Sequence, residues 1–179
     1  MVTLNDEKKE PPSFGPPSGP WALKAIDLST DSAICVNFRV DSFISSFGHA
    51  DDFWGADRQG DRRYLEWLET KLADLPGSCC HLWHNSSIVG QYEYGLSEDD
   101  DGEAHLHLLY ITSHMRSRRL GRRLLACAER SMVAHGFRRA RLRVSTSNEA
   151  AIRFYQGNGW IKRYSDGRAP HLLIMHKSF

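Results

Sequence analysis

Long apolar runs are missing from this 179-residue chain, so no membrane-spanning helix is expected. The amino-terminal stretch also lacks the apolar segment of a secretory signal. Cysteine is scarce. Cys35, Cys79, Cys80 and Cys127 show no zinc-ribbon spacing, and adjacent Cys79 and Cys80 make a poor disulfide pair. Reduced thiols in a cytoplasmic protein are the simpler reading. An excess of one charge is lacking too: 23 basic residues face 22 acidic ones, so the overall balance suggests no polyanionic partner. Proline is rare beyond position 20, because Pro11, Pro12, Pro16, Pro17 and Pro20 account for five of the seven. The first 20 residues carry few large apolar groups and cannot offset the entropy of ordering. We read them as a flexible Pro-rich tail, and residues 21–179 as one domain with a single core.

What is present is a mixed pattern of strands and helices. Residues 22–28 suggest a first strand. Asp31 reads as a helix N-cap before Ile34, Phe38, Phe43 and Phe47, with Gly48 as the stop. Tyr64, Leu65, Leu68, Leu72 and Leu75 form a second helical stripe, ended at Pro76-Gly77. Residues 79–84 and 88–95 flank Asn85-Ser86-Ser87 as a hairpin, and the acidic stretch 98–102 reads as a solvated turn. Residues 104–112 form a further strand. Leu120, Leu124, Ala128 and Met132 mark an amphipathic helix capped by Gly136. Residues 141–144 alternate as a strand, and Asn148 suits the N-cap of a helix through Gln156. Two closing strands turn at Asp166-Gly167. The order is β-α-α-β-β-β-α-β-α-β-β, an α/β (α+β) fold with a mixed sheet.

One junction carries chemistry. A strand runs into Arg116-Ser117-Arg118-Arg119-Leu120-Gly121 and then into a helix. A helix N-terminus offers unpaired N–H groups and a positive dipole end, which suit a pyrophosphate. Between positions 116 and 143 stand ten arginines opposed only by Glu129, which deepens the positive field. A solvated basic helix face is the plain alternative.

The segment resembles the acyl-CoA-binding motif of the GNAT acyltransferases, Gln/Arg-x-x-Gly-x-Gly/Ala, with Arg116 first and Gly121 last. Arg119 stands where glycine is usual. A second stretch, from Asn148 through Ala151, Tyr155 and Gly159 to Trp160, is similar to the family's Asn-x-x-Ala-x-x-x-Tyr-x-x-x-Gly-Phe signature. The resemblance implies a GNAT fold and acetyl-CoA as co-substrate. It implies that the amides of Arg118, Arg119, Leu120, Gly121 and Arg122, beside Arg116 and Ser117, cradle the pyrophosphate. It implies that Asn148 meets the pantetheine amides, and that Tyr155 protonates the departing thiolate. Tyrosine, with a pKa of about 10, keeps its proton at neutral pH and so is chemically suited to that step. A bulge near Leu109, Tyr110 and Ile111 is expected to free N–H groups for the thioester and pantetheine.

The strand start Ala104-His105-Leu106-His107 is similar to that of arylalkylamine N-acetyltransferases, in which two histidines deprotonate the amine through water. Exposing the lone pair of an alkylamine of pKa near 10.4 costs about 4–5 kcal/mol at pH 7. His105 and His107 share one strand face, and Glu93 on the preceding strand is a rival base. Two histidines on a polar sheet face, or a zinc site with His81 and His84, are alternatives; no metal is expected, because no Asp, Glu or Cys completes a recognisable ligand spacing. Phe43, Phe47, Phe53, Trp54 and Trp67 suggest an acceptor pocket, and Asp41, Asp51 and Asp52 a pull on a cation.

The expected activity is transfer of an acetyl group to a primary amine of a small molecule by direct attack. A non-catalytic acyl-CoA-binding module on the same fold is the rival. No nucleic-acid or membrane partner is expected, and a homodimer is allowed.

Overall fold

The computed structural model describes residues 20–97, 102–166 and 169–179. The Pro-rich tail, save Pro20, most of the acidic turn at 98–102, and Gly167 of the last turn lie outside the described residues. Among the described residues, seven strands and five α-helices follow in chain order. They are β1 (Trp21–Ala25), α1 (Leu28–Phe47), α2 (Asp51–Trp54), α3 (Gly60–Asp74), β2 (Cys79–His84), β3 (Ser87–Leu96), β4 (Glu103–Ile111), α4 (Leu120–Ala134), β5 (Arg139–Ser145), α5 (Glu149–Gln156), β6 (Ile161–Asp166) and β7 (Ala169–Ser178). A 3-10 turn, Ser113–Met115, links β4 to the loop before α4. The sheet order is β1-β2-β3-β4-β5-β7-β6. Only β4 and β5 run parallel; every other neighbouring pair is antiparallel.

Helix α1 begins earlier than the expected cap. Asp27 is the N-cap, accepting from the Ser29 N–H at 2.9 Å and the Ser29 hydroxyl at 2.6 Å. Asp31 lies one turn inside the helix and faces His81 instead, 3.2 Å from Nδ1. Strand β1 accordingly stops at Ala25 rather than running to Leu28. Gly48 ends α1 in the left-handed conformation, φ 83°, as its position suggests. The one-turn helix α2 carries no periodic stripe, and its Phe53 is buried.

Two apolar clusters hold the molecule. The larger packs Leu120, Leu124, Leu125, Ala128 and Met132 of α4 on Tyr92, Tyr94, Ala104 and Leu106 of the sheet. The smaller joins Cys35, Phe53, Tyr64 and Leu68 of α1–α3 to Cys79. The sheet thus has helices on both faces. Glu129 of α4 accepts from Trp160 Nε1 at 2.9 Å and from Lys177 Nζ at 2.8 Å, which ties the carboxyl-terminal hairpin to that layer. All four cysteines are free and buried. Burial raises every one of their pKa values, to about 12 for Cys35 and Cys80. Among the described residues, no helix is long and apolar enough to cross a membrane.

Candidate active site

The pairing of β4 with β5 runs from Glu103 opposite Arg139 to Leu106 opposite Leu142 and then stops. Beyond that point the two parallel strands part, and a cleft opens between them. The irregularity that prepares it lies at His107, not at the expected 109–111. On β3, Glu93 pairs with Leu108 while Tyr94 pairs with Leu106, so His107 is the extra residue. An extra residue exchanges the faces of everything after it. Ala104 and Leu106, then Leu109 and Ile111, pack on the α4 side. Tyr110 turns to α1, where its ring meets Phe38 at 4.6 Å and its hydroxyl donates to Asp41.

The backbone follows the same logic. The Thr112 N–H donates to the Val89 carbonyl at 3.0 Å, so it points toward β3. Antiparallel pairing repeats every two residues, which aims the N–H groups of Tyr110 and Leu108 the same way. The N–H groups of Leu109 and Ile111 therefore face the opened side. The Ile111 carbonyl also faces away from β3 and accepts from Arg116 Nε at 2.9 Å.

The cleft measures about 720 Å³. It gathers His105, His107, Leu109, Tyr110, Ile111, Arg116, Gly121, Asn148 and Tyr155, nine of the catalytic and CoA-binding candidates singled out from sequence. Arg39, Phe43, Phe47, Arg143 and Phe154 complete much of its wall. Ser117, Arg118, Arg119, Leu120 and Arg122 are not on that wall; they form the turn into α4 at its end. Ser117 (φ 62°) and Arg119 (φ 60°) are left-handed. Arg119 is the N-cap of α4 and makes no side-chain cap bond. The usual glycine at this motif position has a backbone reason: the turn needs a positive φ. Left-handed residues among successive amides also build anion-binding concavities. Arg116 lies over the Tyr110 ring, 5.6 Å from its centre, and 3.6 Å from Asp41.

Asn148 caps α5 as its position suggests, accepting from the Ala151 N–H at 3.1 Å. That places Tyr155 two turns on, half-buried, with its ring 5.8 Å from that of Trp160. Burial pushes the Tyr155 hydroxyl well above its ordinary pKa, so it holds its proton at neutral pH.

His105 and His107 do share a face. Their rings stack at 4.2 Å, and His107 also meets Trp67 edge-on at 4.9 Å. Burial is the first cause that drives His107 well below the usual histidine pKa; His105, Arg39, Lys71 and Arg143 add to it. His107 is neutral at pH 7, able to accept a proton but a weak holder of one. Glu93 lies behind the wall. It is fully buried and accepts from the Tyr64 hydroxyl and from Gln91 Nε2 at 2.5 Å. Its Oε2 stands 3.6 Å from Arg39 Nη1 and has no hydrogen-bond partner. Burial raises its pKa, opposed by Arg39, Tyr64 and Gln91.

The zinc alternative is not assembled. His81 is bound to Asp31 and Gln91, and His84 stacks on Trp21 at 4.2 Å. Among the described residues no group of three or more His, Cys, Asp or Glu is placed to hold a metal ion.

A recess of about 380 Å³ branches from the cleft between α1, α2 and α3. Phe43, Phe53 and Trp67 line it, as does Asp52. Trp54 is not on its wall. Asp41 is bound to Tyr110 and Arg116, and Asp51 pairs with His49 and Arg58 at the surface. The wall instead carries Arg39, Arg63 and Arg143, together with Tyr64. The sequence counted Arg143 only in the basic block and Tyr64 only in a helical stripe, and did not single out Arg39 or Arg63; no local motif joins these residues, and three separate elements bring them together.

A parted β4–β5 pair next to a helix N-terminus leaves backbone donors facing an open cleft, and comparison with known proteins identifies the family. The profile of the acetyltransferase (GNAT) family matches residues 42–160. The chain belongs to this family of acetyltransferases. A search of the curated proteins finds no match. Among solved structures, the chain is similar to PaiA N-acetyltransferase from Thermoplasma acidophilum in complex with coenzyme A. The TM-score is 0.72 at 19% identity, covering 89% of this chain and 99% of that one. It is also similar to YncA, a putative acetyltransferase from Salmonella typhimurium with its cofactor acetyl-CoA. Here the TM-score is 0.68 at 17% identity, over 88% and 93% of the two chains. A third likeness is Arabidopsis thaliana Naa50 in complex with the bisubstrate analogue CoA-Ac-MVNAL, with a TM-score of 0.60 and 18% identity over 89% and 99%.

Proposed function

We propose that the domain spanning residues 21–179 transfers an acetyl group from acetyl-CoA to the primary amine of a small molecule, in the cytoplasm. The observation that carries this reading is the halt of β4–β5 pairing at Leu106, which leaves the Leu109 and Ile111 N–H groups facing a 720 Å³ cleft. The residues fit an acyl-CoA. Two outward amides suit the pantetheine and the thioester carbonyl, and the turn at 117–122 suits a diphosphate. The complexes of PaiA with coenzyme A and of YncA with acetyl-CoA support the same assignment.

When bound, acetyl-CoA supplies an activated acyl group. The Leu109 and Ile111 amides orient its carbonyl and stabilise charge that builds on the oxygen. Arg116 and the α4 amides hold the phosphates. Asn148 keeps α5 in register and meets the pantetheine. Tyr155 gives its proton to the leaving sulfur. His107 and His105 receive the amine proton; because His107 holds it poorly, it passes the proton onward to solvent rather than storing it. Burial raises the Glu93 pKa, but Glu93 reaches the cleft only through Tyr64 and Arg39. Holding amine and thioester together supplies much of the acceleration.

Release of CoA thiol in the presence of an amine panel tests the reading. Tyr155→Phe should lower turnover about tenfold to a thousandfold while calorimetric acetyl-CoA binding stays nearly intact. Full turnover in that variant would remove Tyr155 from the chemistry. Calorimetry showing no uptake of acetyl-CoA by the wild-type protein would overturn the function itself. The peptide-like bisubstrate analogue bound by Naa50 makes a peptide amino terminus the second acceptor to test.

A further inference from the structure

The acceptor side of the cleft has a chemistry of its own, and this inference rests on the acetyl transfer proposed above. The recess floor is aromatic. Phe43 and Phe53 are 5.8 Å apart, Phe53 and Tyr64 6.0 Å, and Tyr64 and Trp67 6.3 Å, ring centre to ring centre. Such a floor takes an apolar or aromatic group. The junction between recess and cleft is different. Arg39 from α1 and Arg143 from β5 line both spaces, beside His105 and His107. Arg39 is fixed there by donating to the His107 carbonyl at 2.7 Å, with the same nitrogen 3.6 Å from the buried Glu93 carboxylate behind the wall. Among the described residues on the recess wall, Asp52 is the only acid, and it is exposed on the first turn of α2. A cation entering the junction meets two guanidinium groups first. An anion is drawn to the same place, because guanidinium groups bind carboxylates through paired charge-assisted hydrogen bonds.

We propose that the acceptor is an α-amino acid with an apolar or aromatic side chain, its carboxylate held between Arg39 and Arg143 at the junction. The juxtaposition sets the geometry of the ligand. Both guanidinium groups share the junction with His105 and His107, which receive the amine proton, so the negative group belongs on the carbon that bears the nitrogen. The side chain then occupies the aromatic recess. Attack by the neutral α-nitrogen forms the N–C bond to the acetyl carbon and breaks the C–S bond. One amine proton leaves through the histidines, the sulfur takes a proton from Tyr155, and no oxidation or reduction is involved. The product is an N-acetylamino acid with one negative charge.

The test is a comparison of kcat/KM by CoA release for L-phenylalanine, its amide, phenethylamine, spermidine and a short methionine-initiated peptide. L-Phenylalanine is expected to exceed both its amide and phenethylamine by tenfold or more. Arg143→Gln is expected to bring the acid-to-amide ratio close to one, a readout that loss of folded protein alone does not move. Equal or better use of the amide, phenethylamine, spermidine or the peptide overturns the proposal, as does an unchanged ratio in Arg143→Gln. Absence of turnover with every acceptor also overturns it. Calorimetry then separates the two ideas: acetyl-CoA uptake without use of any of these acceptors removes only the acceptor assignment, whereas no uptake removes the acetyl-transfer reading as well.

Discussion

Arg119 shows how one residue can sit against its local preference. Its φ of 60° lies in the left-handed region, where a Cβ costs about 1–2 kcal/mol. Glycine would relieve that cost but lose about 0.5–1 kcal/mol through its greater freedom when unfolded. Arg119→Gly should therefore stabilise the fold by under about 1 kcal/mol, raising the melting temperature by roughly 2 °C. A lower melting temperature would show that the Arg119 side chain makes contacts worth more than the strain. His107 makes a second residue-scale case. Its folded pKa lies well below the ordinary histidine value of about 6.5, chiefly from burial. Below that value the unfolded chain binds a proton that the folded one refuses, so stability must fall as pH drops under about 6.5. Each such histidine contributes a slope of up to about 1.4 kcal/mol per pH unit; His81, also lowered by burial, adds to it. Melting followed from pH 7.5 to 5 should show this loss, and His107→Gln should make the curve shallower. An identical slope in the variant would mean that His107 is as free to protonate folded as unfolded.

Among the elements, the corner between α2 and α3 leaves no room for a side chain at Gly60. A Cβ on Gly60 would stand 1.9 Å from the Phe53 carbonyl oxygen and 2.9 Å from the Trp54 Cα. These are backbone atoms and cannot turn aside. Gly60→Ala should cost about 1–3 kcal/mol or more by thermal melting and weaken acceptor use through the displaced Phe53 and Tyr64. A variant with wild-type stability would show that α2 moves freely against α3. This corner also marks the boundary of what local pattern reveals. The periodic stripes of α3 and α4, the Asn148 cap and the Gly48 stop were legible because each depends on residues close in sequence. The start of α1 was misplaced at Asp31 since two aspartates four apart both suit a cap. Only the buried His81, 50 positions away, decides that Asp31 faces inward. The one-turn α2 had no period to detect. The bulge was expected on the right strand but at 109–111 rather than 107, because its position depends on the β3 register. The nine catalytic and CoA-binding candidates gathered in the cleft came from local patterns, whereas nothing local placed Arg39, Arg143 or Tyr64 beside an acceptor.

For the whole molecule, the cleft lies between the two helical layers, so a ligand there bridges structure on both sides of the sheet. Binding to the folded state alone stabilises by mass action. Acetyl-CoA at a hundred times its dissociation constant should add about 2.7 kcal/mol and raise the melting temperature by roughly 5–10 °C. No shift at saturating concentration would argue against a preformed site. The two apolar clusters hold the four cysteines away from water, each with its pKa raised by burial. A thiolate is the reactive form, and these thiols hardly form it. A disulfide reagent such as Ellman's, added during turnover, therefore meets a chain that stays colourless, and the yellow that develops measures liberated coenzyme alone. Should colour emerge with no acceptor present and in proportion to the protein, four equivalents at the limit, it reports chains that have opened.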